Sequence, residues 1–317
     1  MIHRAHAAPK SPAKMSPAAW WAAVKRILGE FRADNLSDWA AALTYYSVLS
    51  IFPAMLVIVS LVGLSGKSVS QDLISHVGSL APGSAKQVLV NALTELQRGR
   101  AGASLVALLG IAAAIWSASG YVGAFMRASN VIYDVPEGRP IWKTLPLRVA
   151  LTLVTLVLLS ASAIAVVISG PLAREAGDLF GLGSVAVTIW GIAKWPVLLL
   201  VINFLFALLY WASPNAKQGL RWVTPGGILA LVVWLAASAG FAVYVANFGA
   251  YNKTYGSLAG IIIFLVWLWI SNIAILLGAE LNAELERGRA IAAGRPADEE
   301  PYVEPRDTRK FDDDDPR

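Results

Sequence analysis

An all-α, polytopic membrane bundle is the fold class this sequence predicts, on three observations. Hydrophobic residues make up 56% of the 317 and charged residues only 15%, against roughly 25% charged in a soluble domain. Six apolar runs lie near 39–63, 102–126, 147–169, 184–210, 223–246 and 257–281. Each is long enough to cross about 30 Å of hydrocarbon at about 1.5 Å per residue. Lysine and arginine are also unevenly distributed between the connections, with 19 on one side of the six runs, six on the other and Lys194 unassigned. That bias puts both termini in the cytoplasm, as an even number of spans requires.

Residues 1–17 are rich in Ala, Pro and Lys and read as a disordered tail. From 18 to 36, Trp20, Trp21, Val24, Ile27, Leu28 and Phe31 recur at helical spacing, with Lys25, Arg26, Glu30 and Arg32 opposite. This predicts an interfacial amphipathic helix with its tryptophans at headgroup depth. The long connection 64–101 carries two more amphipathic patterns around Pro82-Gly83 and reads as an extracytoplasmic helical hairpin, resting on lipid or capping a cavity. The fourth run is oversized. Lys194 and Pro196 divide it, so that Trp195 to Ala212 could cross alone with Lys194 at the interface. Residues 18–287 therefore form the membrane domain, and 288–317 read as a disordered cytoplasmic tail ending in FDDDDPR. The four aspartates there are expected to stay solvated, since unscaffolded like charges repel.

Enzyme chemistry has little to work with. Cysteine is absent, and the three histidines are His3, His6 and His76. No HExxH, P-loop or GxSxG is present, so no catalytic residue, metal site or cofactor is expected. Gly256 and Gly260 form a GxxxG at the start of the sixth run, a hint of close helix packing.

Polar groups within apolar runs are the better lead, because lipid penalises them unless they pair or line water. Asn203, Ser271, Asn272 and, at the end of the last run, Glu280 and Asn282 are the candidates, as substrate contacts or as helix locks. Pro53 removes a backbone donor in the first run and frees the carbonyl of Leu49, which makes either a hinge or a tolerated kink. Tyr251, Asn252, Lys253 and Tyr255 crowd the turn before the last run, as an outer gate or an aromatic interface belt. Glu280 is singled out because 23 uncharged residues, Ser257 to Ala279, end on it. It shares a helix face with Glu284 at i, i+4 and opposes the helix dipole. It is therefore expected to turn inward toward a basic partner, Arg127 or Arg148, with Glu284 the more dispensable of the two.

The stretch YGSLAGIIIFLVWLWISNIAILLGAELNAEL resembles the signature of the YihY/BrkB family of bacterial inner-membrane proteins. The likeness extends in order through DNLSDWAAALTYYSVLSIFPAMLVI, VIYDVPEGRPIWK and LLYWASPNAKQGLRWVTPGG, over roughly residues 25–287. Two departures are small: Asp134 stands where the family often has Gly, and Phe52-Pro53-Ala54 where Ala-Pro-Leu is frequent. The resemblance implies a bacterial inner-membrane location and, from what related proteins are linked with, transport or flipping of an envelope lipid. A non-transporting envelope scaffold is the alternative. The family's old label, ribonuclease BN, is at odds with a chain lacking a His/Asp constellation for two cations. Expected partners are membrane lipids and envelope proteins or a second copy, not nucleic acid.

Overall fold

A computed structural model describes residue 9 and residues 11–64, 101–167, 184–247 and 257–311. Among these, seven α-helices follow one 3₁₀ turn at Pro12–Lys14: α1 (Pro17–Ala33), α2 (Leu36–Leu64), α3 (Ala101–Ile132), α4 (Ile141–Val167), α5 (Ser184–Ala212), α6 (Leu220–Asn247) and α7 (Ser257–Ala292). No strand is present among the described residues beyond one isolated bridge, Ala216 to Pro305. Four helices contain stretches long and apolar enough to cross a membrane: Ile141–Ala163, Thr188–Ala212, Leu220–Ala246 and Gly260–Ala292. Helices α2 and α3 coincide with the first and second apolar runs. The expected outer hairpin and the cluster Tyr251, Asn252, Lys253 and Tyr255 lie outside the described residues.

The helix ends follow local chemistry. Ser16 caps α1, accepting from the Ala19 N–H at 3.2 Å, with Pro17 in the first turn. Asn35, at φ 52°, makes the corner between α1 and α2, and its carbonyl accepts from Asp38 and Trp39. After α3, Val135 N–H donates to Asn130 O and Asp134 N–H to Val131 O, with Asp134 at φ 51°. That is a Schellman end whose left-handed position usually takes Gly. Aspartate, the departure noted at this position, therefore adopts the backbone that glycine would. Gly294, at φ 100°, closes α7 in the same way.

By contact the chain divides into two compact units. The first comprises residues 1–45, 122–146 and 202–317. Its spine is the pair α6 and α7, joined by a polar seam. Gly226 and Gly278 meet backbone to backbone, so that a Cβ on either would run into the other's carbonyl. Further along, Trp234 Nε1 donates to Ser271 Oγ at 3.0 Å and Trp267 Nε1 to Ser238 Oγ at 3.2 Å. Residues 226, 230, 234 and 238 recur every four positions, which stacks them on one helix face.

Helix α1 packs one face against α7. Ala23 and Ile27 are buried against Leu281, Leu285 and Trp222, with Trp20 partly buried beside them, while Trp21, Val24 and Leu28 remain exposed. Because α7 continues to Ala292 and does not stop at 281, it offers α1 a surface to pack on. Met15, in the segment expected to be a disordered tail, joins the same cluster.

The other expected tail is also partly structured. Residues 293–311 leave α7 and return over the loops at 136–139 and 212–217. Lys217 N–H donates to Glu304 O at 2.9 Å and Lys310 N–H to Gly138 O at 3.1 Å. Asn215 both accepts from Asp307 N–H and donates to Asp307 O. Polarity and proline read as disorder in the sequence, but here they serve backbone pairing with other loops.

The second unit comprises residues 46–121 and 147–201. There Arg148 Nε donates to Ser119 Oγ at 2.8 Å and its guanidinium lies 5.5 Å from the Trp116 ring centroid. Tyr46 leaves no room for a Cβ at Gly120. Pro53 lies inside α2, which runs through it as one helix. Lys194 is buried within α5, its Nζ 5.4 Å from the Trp195 ring centroid.

Candidate functional site

Where α7 leaves its apolar stretch, the first unit has an open-sided recess lined by Glu30, Asp34, Tyr133, Asp134, Glu280, Glu284 and Arg287, with Tyr302 and Val303 as a further wall. Four chain segments build it. Helix α1 ends on Glu30 and Asp34, and the Schellman turn after α3 presents Tyr133 and Asp134. One face of α7 carries Glu280, Glu284 and Arg287 at spacings of four and three. The returning C-terminal segment supplies Tyr302.

The sequence reading expects Glu280 to turn inward toward a basic partner, and the structure separates those two expectations. Glu280 is 1% exposed, so it does face inward. Of the two expected arginines, Arg127 is exposed, and Arg148, in the second unit, donates to Ser119. Its Oε2 is buried without a hydrogen-bond partner. Glu284 is the acid with cations, bonded by the Arg26 guanidinium from α1 and by Arg287 at 3.4 Å. Glu284, the acid expected to be the more dispensable, is thus the one held in ion pairs. A single turn of helix separates the two, yet only Glu284 is bonded by a cation of α1, Arg26, 258 residues away in sequence.

Charge accumulates in the recess. Arg287 also pairs with Glu30 at 2.9 Å, and its guanidinium stacks 4.7 Å from the Tyr302 ring centroid. Asp34, at the C-cap of α1, has its carboxyl pushed up to about 7, by burial first and then by Asp134, Glu30, Glu300 and Glu284. Asp134 is pushed up to about 6, again by burial first, with Glu300 and Glu30 adding and Arg287 opposing.

The other candidates are placed differently. Asn282, fully buried, accepts from Gly226 N–H at 2.8 Å and donates to Val223 O at 3.2 Å. It thereby satisfies backbone groups of α6 on either side of Pro225, which has no N–H to give. Asn272 donates to Thr44 Oγ1 at 3.1 Å and ties α7 to α2. Both make hydrogen bonds to a neighbouring helix. Asn203 points its Oδ1 at Gly227, and that oxygen is buried without a hydrogen-bond partner. Gly260 has nothing near the position of a Cβ among the described residues, so the close approach expected there is made by Gly226 and Gly278 instead.

A second polar centre escaped the sequence reading. Arg139, 4% exposed, donates to both oxygens of Glu137 and to the carbonyls of Ala212 and Ser213. Burial alone would raise the Glu137 carboxyl, but the Arg139 and Asn130 bonds bring it below its ordinary value. Asn130 Oδ1 accepts from Asn215 N–H at 2.7 Å. These residues lie in VIYDVPEGRP and SPNAKQG, and the visible signal was a pair of polar, turn-rich blocks inside a lipid-like chain. Among the described residues, no group of three or more His, Asp or Glu is placed to hold a metal ion.

Residues 27–302 match the family described as Virulence factor BrkB, a span that runs through Tyr302 on the recess wall. A ribonuclease-like protein of Bacillus subtilis, YfkH, is 31% identical over 279 residues, 88% of this chain and 98% of its own. A UPF0761 membrane protein of Alkalilimnicola ehrlichii is 32% identical over 86% of this chain, which spans only 61% of that protein's length. Another, from Aeromonas salmonicida, is 29% identical over 81% of this chain and 86% of its own. No solved structure matches. With most of its length covered by the family, and with helices apolar enough to span a bilayer, this chain is a membrane protein belonging to the Virulence factor BrkB family.

Proposed function

We propose that the protein is a six-span inner-membrane protein, both termini cytoplasmic, that transports or flips an envelope lipid or a similar amphiphile. One observation carries this reading: a buried, unpartnered carboxylate, Glu280, sits in an open polar recess at the end of the last apolar helix. Ionisable groups at such positions mark pathways more often than packing, because lipid and protein interior both penalise them. In this reading the recess is the cytoplasmic-side station of the path, and the excess of Lys and Arg on that side sets the orientation. Nuclease chemistry has no part in it, since its metal-dependent form needs His and Asp around two cations.

The test is leaflet exchange. Full-length protein in liposomes carrying a headgroup-labelled lipid is expected to expose inner-leaflet label to an impermeant quencher faster than empty liposomes do. Glu280→Gln should slow that exchange. Folded, correctly inserted protein that exchanges no labelled lipid faster than empty liposomes defeats the proposal.

A second reading, the non-transporting envelope scaffold, is favoured by the seam between α6 and α7. There, groups that could have served a substrate are taken up by helix-to-helix bonds. It predicts altered envelope complexes on depletion without any change in lipid exchange.

A further inference from the structure

The recess contains more acid than its own cations balance. Five carboxylates line it, Glu30, Asp34, Asp134, Glu280 and Glu284. The arginines at its edge are already engaged, Arg26 with Glu284 and Arg287 with Glu30 and Glu284. No ion pair within 4.0 Å reaches Asp34, Asp134 or Glu280 among the described residues. Glu280 is the sharpest case, at 1% exposure with Oε2 lacking any donor. A carboxyl oxygen buried without a donor is costly in either protonation state. The site therefore offers an acceptor to a donor that the protein does not supply.

The kind of donor follows from the spacing. A calcium or magnesium ion needs several oxygens converging at about 2.0–2.6 Å, and no such group exists among the described residues. Carboxylates spread around an open-sided recess, arriving from α1, the turn after α3 and α7, suit a cation that carries N–H donors and accepts longer, looser contacts. A primary ammonium has three such donors and a single charge.

We propose that this recess binds a primary ammonium group, with Glu280 Oε2 accepting one of its N–H bonds and Asp34 and Asp134 supplying the remaining negative charge. Two sources carry that chemistry, the headgroup of an amine-bearing phospholipid and a small soluble amine. The lipid source deepens the transport reading and rests on it; binding of the ammonium itself does not.

Unfolding midpoints of the full-length protein in nanodiscs separate the cases. The discs are phosphatidylglycerol alone, the same with phosphatidylethanolamine, the same with phosphatidylcholine, and phosphatidylglycerol with free ethanolamine added. A rise of about 2–4 °C, the scale of one modest binding event in a chain this size, is expected with phosphatidylethanolamine or ethanolamine. The quaternary headgroup, which has no N–H, should give no rise. A rise with the lipid but not with ethanolamine assigns the lipid source, and the reverse assigns a soluble amine. Glu280→Gln should abolish the rise, and Asp34→Asn, half-buried at the end of α1, should reduce it if the first variant folds poorly. Asn272→Ala, outside the recess, should leave the rise intact. Equal midpoints in all four discs, or a rise that survives both Glu280→Gln and Asp34→Asn, overturns the proposal. A rise without leaflet exchange leaves the ammonium site standing and removes the transport reading alone.

Discussion

The seam between α6 and α7 and the recess at the end of α7 use polar residues of one helix in opposite ways. In the seam, Asn282, Ser271 and Ser238 are neutral and each is met by a partner on the facing helix. In the recess, whose Glu280 and Glu284 lie two residues to either side of Asn282, carboxyl groups outnumber guanidiniums and Glu280 leaves an oxygen without a donor. Polar character inside an apolar chain thus does not by itself mark function; the balance of donors and acceptors does. A satisfied pair fixes the register of two helices, with interhelical bonds in membrane proteins averaging about 0.6 kcal/mol. An unsatisfied acid stores a demand for a ligand or a proton.

Substitutions can break that contrast, most severely in the seam. Gly226→Leu or Gly278→Leu should be the most damaging change, because each Cβ position is occupied by the facing carbonyl. Overpacking of this kind costs about 1–3 kcal/mol or more, and backbone contact puts these sites at the upper end. Yield of folded protein and unfolding midpoint in detergent report it; wild-type behaviour of both variants contradicts the helix crossing. Asn282→Leu comes next. It leaves the Gly226 N–H and Val223 carbonyl of α6 without their partner, a loss of about 1–3 kcal/mol for each buried unsatisfied group. Asn282→Asp, which keeps an acceptor for Gly226, should recover part of it.

Within the recess the ranking is expected to split the two acids. Glu284→Gln should lower the midpoint by loosening the Arg26 tie to α1. Glu280→Gln in detergent should be close to neutral, since the substitution breaks no ion pair and no hydrogen bond of Oε2. Equal losses for the two would mean that both acids are structural.

The smallest expected effect is on pH dependence. Asp34 and Asp134 have folded-state values of about 7 and about 6 against 3.8 for the free side chain. Between those limits the folded chain binds more protons than the unfolded one, so this contribution makes stability fall as pH rises from about 4 to about 7, then level off. Asp34→Asn should flatten the slope of midpoint against pH between about pH 5 and about pH 7. An unchanged slope would place Asp34 outside the cluster's electrostatics.

Much of the fold was legible because it is local. A helix in a lipid-like chain announces itself by a continuous apolar run, and α4 to α7 each contain one long enough to span. Asn35 and Gly294 sit where helices must turn through left-handed backbone, which asparagine and glycine tolerate. Composition misled only where polar segments found partners: Met15 packs against the end of α7, and residues 303–311 pair with loops at 136–139 and 212–217.

By itself, the sequence determined where the helices lie, that Glu280 ends the uncharged run from Ser257 to Ala279, and that Asn272 and Asn282 need partners in an apolar setting. Only the tertiary structure decided which acid is neutralised. Arg26 chooses Glu284 over Glu280 because α1 packs on one face of α7 through Ala23 and Ile27, and that choice is set across 258 residues. Hydrogen bonds and ion pairs act over about 3–4 Å, so their partners depend on the register between distant helices, and no local pattern encodes that register.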